Sequence, residues 1–212
     1  MVSCRCFFVA LVLLLVTLDC SYAFAAKKKG GGKKRASTPK GFGAPPPTLE
    51  EVLGKFRNRV PQDAESRPCP CGTGKSYGEC CGPFHGGSPC LTMTDVLRSR
   101  YSAFAWRNIK HVMATTHPVC RDYREDKVEW AEDLNKSGMF DSFDFVKLEA
   151  GPEEPSADQE NEGYMTFKVI LRAKENTGSD LTGKETIVKE QSRFLYDSDD
   201  GSWRMLQNIK IN

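Results

Sequence analysis

Four cysteines fall between Pro68 and His85 as two tight pairs, Cys69 with Cys71 and Cys80 with Cys81. Eight residues separate the pairs, and Gly72, Gly74 and Gly78 among them let the chain double back. A segment this short cannot bury enough apolar area to hold itself together. Zinc would close it, because it takes four thiolates at tetrahedral corners with metal–sulfur distances of about 2.3 Å. The energy of binding then becomes folding energy. A disulfide within either pair would close a strained ring. Disulfides between the pairs, an iron–sulfur cluster and free thiols are the other readings of the same residues. Ligand count and spacing favour zinc at Cys69, Cys71, Cys80 and Cys81. His85 is a spare ligand that a four-cysteine site does not need. Lys75, Ser76 and Tyr77, between the pairs, form the natural contact tip for a protein partner.

Charge is distributed unevenly. Residues 1–25 balance to zero and residues 26–47 carry seven cations and no acid, so of a chain total of +2, residues 48–212 carry −5. An acidic body argues against nucleic acid as a partner, since phosphate-backbone binding needs a basic footprint. The N-terminus has the layout of a signal peptide over 1–23: Arg5, an apolar run from Phe7 to Leu18, and Ser21-Tyr22-Ala23 before the cut. That run is too short for a comfortable membrane span, so no transmembrane segment is expected in the mature protein. Residues 24–47 are basic, rich in small residues and free of acid, with Phe24 at their head, and read as a disordered transit or linker segment. The pair resembles the bipartite presequence of algal plastid proteins. It implies delivery to the plastid through the secretory pathway, the alternative being secretion or an endomembrane lumen.

Periodicity divides the rest. Thr48 to residue 58 reads as a short amphipathic helix, with Thr48 and Glu51 as a capping box. The knuckle occupies 67–85, and Gly86 to Pro89 reads as a hinge. In the 91–212 domain, Thr92 or Thr94 caps a helix through about Trp106. A short helix or turn follows over 111–116, and a third helix over 125–134. Strand alternation then takes over. Ser142 to Ala150 places Val146 and Leu148 on one face and Phe143 and Phe145 on the other. Gly151 to Glu162 reads as an acidic loop. In Tyr164 to Lys174, Met165, Phe167, Val169 and Leu171 share a face. In Lys184 to Tyr196, Val188, Glu190, Ser192, Phe194 and Tyr196 share one face, against Lys189, Gln191 and Arg193. Trp203, Met205, Gln207, Ile209 and Ile211 share a face of the last strand. Helices followed by an antiparallel meander define an α+β fold.

Cys69, Cys71, Gly72, Gly74, Lys75, Cys80, Cys81 and Gly82 resemble the SEC-C motif, the zinc knuckle at the C-terminus of the SecA translocase. Downstream, Leu97-Arg98-Ser99-Arg100-Tyr101-Ser102-Ala103-Phe104, Thr116-His117-Pro118, Ser192-Arg193-Phe194 and Trp203 resemble the YchJ family. That family joins such a knuckle to a domain like nuclear transport factor 2. The resemblance implies a cone: a curved antiparallel sheet packed on N-terminal helices, with an open mouth as the default pocket. It also implies recruitment of protein partners rather than a known reaction. The competing function is a small-molecule enzyme of isomerase, dehydratase or hydrolase type, using the cone with His117 and Glu190 as acid–base groups on a small apolar ligand. The ordinary alternatives are a structural His117 and a Glu190 paired with Arg98 or Arg100. No nucleotide loop or nucleophile elbow is present. Fold relatives also dimerise through the outer sheet face.

Overall fold

The computed structural model describes residues 45–138, 140–174 and 182–211, the last four by backbone only. The expected signal peptide and most of the basic segment lie outside the described residues.

The chain enters helix α1, Leu49–Lys55, through the expected capping box: Thr48 and Glu51 satisfy each other's backbone amides. α1 packs on α5, Lys127–Lys136. After a 3-10 turn at Ala64–Ser66 come the knuckle and the short helix α2, Gly82–His85. Helix α3, Met93–Trp106, starts at Thr92, whose hydroxyl accepts from the Asp95 amide at 3.1 Å while Asp95 accepts from the Thr92 amide. α3 is buried on most sides, and its Val96, Ser99, Ser102 and Ala103 have no exposed surface. Helix α4, Ile109–Ala114, turns back beside it. α5 begins at Asp126, whose carboxylate accepts from the Val128 and Glu129 amides at 3.0 Å.

Four antiparallel strands follow in simple order: β1, Phe143–Pro155; β2, Glu162–Ala173; β3, Glu185–Asp197; β4, Ser202–Ile211. One face packs on α3 and the other faces solvent. β2 and β3 alternate as their sequence dictates. Met165, Phe167, Val169 and Leu171 are buried, as are Val188, Glu190, Ser192 and Phe194.

The edge strands depart from simple alternation. β1 carries an extra residue at Val146, where the register with β2 slips between Phe145 and Lys147. A bulge of this kind reverses parity. Phe143 and Leu148 are therefore both buried and Phe145 packs beside them, while Val146 points outward. The expected split of Phe143 and Phe145 from Leu148 does not occur. β1 also continues to Pro155 instead of ending in a loop at Gly151. A second slip at Gly151-Pro152 makes this possible. Pro152 sits at a bulge on an edge strand, the place where a sheet tolerates proline. Gly151 is needed there because a side chain would strike the Thr166 carbonyl. β4 slips twice, at Leu206 and Ile209. Leu206 is buried and Gln207 exposed, which breaks the single face expected from Trp203 to Ile211.

The knuckle does not stand apart from this domain. Its cysteines and Tyr77 belong to the same apolar core as α3 and the sheet. No helix among the described residues is long and apolar enough to cross a membrane.

Candidate functional site

Backbone geometry brings the cysteine pairs together. The Cys69 amide donates to the Lys75 carbonyl at 2.9 Å and the Tyr77 amide to the Arg67 carbonyl at 2.8 Å. These bonds close a small hairpin that turns through left-handed Gly72 and Gly74, φ 78° and 81°. The Sγ atoms of Cys69, Cys71, Cys80 and Cys81 all lie within 4.8 Å of one another. Cys71 Sγ and Cys80 Sγ are 3.4 Å apart, and Cys80 Sγ and Cys81 Sγ 3.9 Å. A tetrahedral ion with thiolates at about 2.3 Å needs sulfur–sulfur edges of about 3.8 Å, so the donor set could hold such a metal with little adjustment. Cys69, Cys71 and Cys81 are buried and Cys80 is half-exposed.

The metal-free acidities also fit a cation site. Hydrogen bonds from Cys69 and Cys81 hold the Cys71 thiol far below its usual range. The same sharing pushes Cys69 up to about 12 and Cys81 higher still. One thiolate forms readily, and its neighbours then resist ionising beside it. A divalent ion removes that repulsion.

Behind the sulfurs lies a buried polar network that sequence reasoning did not assemble. The Tyr77 hydroxyl meets His85 Nδ1 at 2.9 Å. His85 Nε2 meets the Ser99 carbonyl at 2.9 Å and the Ser102 hydroxyl at 3.2 Å. The Ser99 hydroxyl meets His111 Nε2 at 2.8 Å, and the other side of that ring faces the Phe84 carbonyl. The two imidazoles pack with centroids 4.5 Å apart. Partner chemistry assigns the protons. His85 donates from Nε2 to the Ser99 carbonyl and accepts from Tyr77; His111 donates to Phe84 and accepts from Ser99. Burial lowers the pKa of both rings, and each holds the other neutral. With both nitrogens engaged, His85 is not a spare metal ligand. The signal for this network was small polar residues three apart, Ser99 and Ser102, on a helix face otherwise filled by apolar side chains.

Tyr77 is not part of an exposed tip. It is 6% exposed, its ring 4.7 Å from that of Trp106. Its aromatic area is worth more against Trp106 than in water. The exposed part of the hairpin is Lys75, with Ser76 half-covered and bonded to Glu79 at 2.9 Å.

The cone interior is nearly full. Its cavity of about 40 Å³ is lined by apolar groups from α3 and the sheet, with Arg100, Tyr101 and Ser192 as the polar exceptions. That is room for a few waters, well below the few hundred Å³ of a typical small-ligand site. Glu190 is 2% exposed, and among the described residues neither carboxylate oxygen has a hydrogen-bond partner. Burial pushes its pKa up to about 10, with Ser192 and Arg100 pulling back only part of the way. It is a neutral acid at pH 7. The expected ion pairs do not form: Arg98 donates to the Cys71 carbonyl at 3.0 Å, and Arg100 to Val112, Thr115 and Thr116. His117 does not converge with Glu190. It lies toward the surface near Asp197 and Arg204, and its Nδ1 accepts from the Val119 amide at 3.1 Å. Cys90 and Cys120 are unbridged and buried, and burial pushes the Cys90 thiol up to about 11. Arg193, on the outer sheet face, is committed to an ion pair with Glu162.

A four-cysteine knuckle docked on an α+β cone defines the class: a knuckle-bearing protein with a domain like nuclear transport factor 2. The chain belongs to the YchJ family. Residues 92–208 match the family described as YchJ, middle NTF2-like domain, and residues 67–83 match the SEC-C motif. A UPF0225 protein of Vibrio vulnificus is 33% identical over 136 residues, 64% of this chain and 70% of that protein. One from Xanthomonas oryzae is 29% identical over 150 residues, 69% of this chain and 98% of that protein. One from Geobacter sulfurreducens is 46% identical over 74 residues, 34% of this chain and 46% of that protein. The crystal structure of a SEC-C motif containing protein from Psychrobacter arcticus is similar in fold. Its TM-score is 0.50 at 20% identity, covering 70% of this chain and 87% of that one.

Proposed function

We propose that this protein is a non-catalytic recruitment module whose knuckle binds one zinc ion at Cys69, Cys71, Cys80 and Cys81 and presents Lys75 and Ser76 to a protein partner. The convergence of four sulfurs at tetrahedral spacing carries the reading. The docking of the knuckle through Tyr77, His85 and Trp106 supports it, since a metal-closed hairpin held rigidly on a larger body loses little entropy on binding. The competing enzyme reading needs titratable groups around an open cavity. Glu190 and His117 lie apart and the cone has little free space, which favours recruitment. Metal analysis of purified protein tests the first half: one zinc per chain is expected, and mapped disulfides among the four cysteines would sink it. Pulldown with wild-type and Lys75→Glu protein tests the second, with partner loss expected while zinc content stays unchanged.

The composition of residues 1–47 supports a plastid location reached through the secretory pathway. Fusing residues 1–48 to a fluorescent protein decides it, and accumulation in the medium would end that reading.

A further inference from the structure

A larger cavity lies outside the cone. It is a groove of about 350 Å³ between α1, α4, the segment leading into α5, and the start of β4. Leu49 and Leu53 of α1 and Met113 and Ala114 of α4 give it an apolar floor. Lys110, Lys127 and Arg204, from three different elements, line it as well. The surrounding body is acidic, so this cluster reverses the local sign.

Lys127 is held in place. Its ammonium lies 3.3 Å from the centroid of the Tyr123 ring and 4.6 Å from that of Trp130, and it donates to the Arg124 carbonyl at 2.9 Å. Among the described residues it has no acidic partner. Lys110 is paired with Glu50 at 2.9 Å, but both side chains are well exposed. Arg204 reaches Asp197 at 3.2 Å and also Asp200. Exposed pairs of this kind contribute little and exchange readily for an incoming anion.

We propose that this groove binds a free medium-chain carboxylate, with its alkyl chain on Leu49, Leu53, Met113 and Ala114 and its carboxylate at Lys127 and Arg204. An apolar floor beside fixed positive charge complements an apolar chain ending in one negative charge. The chain's own basic segment has the wrong sign to fill it. A concave site of this volume encloses a single chain, whereas a bilayer surface would present a plane.

Isothermal titration of the full chain with decanoate tests the proposal. Saturable binding at one site is expected. Ala114 is exposed, so Ala114→Trp fills the groove from its open side and should abolish binding without lowering the melting temperature. Lys127→Gln with Arg204→Gln should weaken binding about fivefold, the scale of a partly exposed charge pair. Decylamine, with the same chain and opposite charge, should not bind. The proposal fails if decylamine binds as tightly as decanoate, if Ala114→Trp binds like wild type, or if uptake does not saturate. Should Ala114→Trp not fold, the charge variants and decylamine still decide.

Discussion

Replacing Glu190 with leucine should stabilise the protein, by an amount that depends on pH. In the unfolded chain this carboxyl ionises near pH 4.5, whereas in the folded protein its pKa is pushed up to about 10. Folding at pH 7 must therefore protonate it. Each unit between the unfolded pKa and the ambient pH costs about 1.4 kcal/mol, so the penalty at pH 7 is about 3 kcal/mol. A raised folded pKa makes its contribution most favourable below pH 4.5, where both states are protonated. That contribution is then lost steadily as the pH rises toward 10. Glu190→Leu removes the titration and both oxygens that lack partners, at similar volume. Urea unfolding from pH 4 to pH 8 should give a gain of about 3 kcal/mol at neutral pH, which for a body of this size raises the melting temperature by about 6–12 °C. The gain should shrink as the pH approaches 4.5. Wild-type and variant curves that run parallel across this range would refute the reasoning, because they would mean that Glu190 titrates normally or keeps an unseen partner.

Stripping the metal with a chelator should lower the temperature of one shared unfolding transition, because the knuckle and the cone share a core. Calorimetry resolving a separate knuckle transition above an unchanged domain would contradict this. Tyr77→Phe leaves His85 Nδ1 buried without its donor and should cost about 1–3 kcal/mol in urea unfolding, with zinc stoichiometry retained. His111 is neutral and buried, facing His85, Arg100 and the Phe84 carbonyl. Its folded pKa is depressed, so the stability it permits is present above about pH 6.5 and lost below it as the unfolded chain takes up a proton. His111→Asn should flatten the acid limb of the stability curve between pH 6.5 and pH 5, and an unchanged limb would assign that proton elsewhere.

The four cysteines were legible in the sequence because ligand spacing along the chain is itself the signal. The network behind them was not. His85 and His111 belong to different helices, and only the packing of α2 and α4 around Ser99 places their rings together. Tyr77 illustrates the same limit. An aromatic residue between two cysteine pairs reads as an exposed tip until Trp106, at the end of α3, is found covering it. His117 and Glu190 were paired on the strength of residue type, and the fold places them apart.

What the sequence determined by itself was local: where Thr48 and Thr92 start helices, and which faces of β2 and β3 turn inward. Those features rest on caps and on periods of 3.6 and 2, which a few consecutive residues carry. The tertiary structure alone decided the bulges at Val146, Gly151, Leu206 and Ile209, the filling of the cone, and the burial of Tyr77. Register and burial are properties of pairs of segments. No stretch of chain specifies them until its partner has arrived.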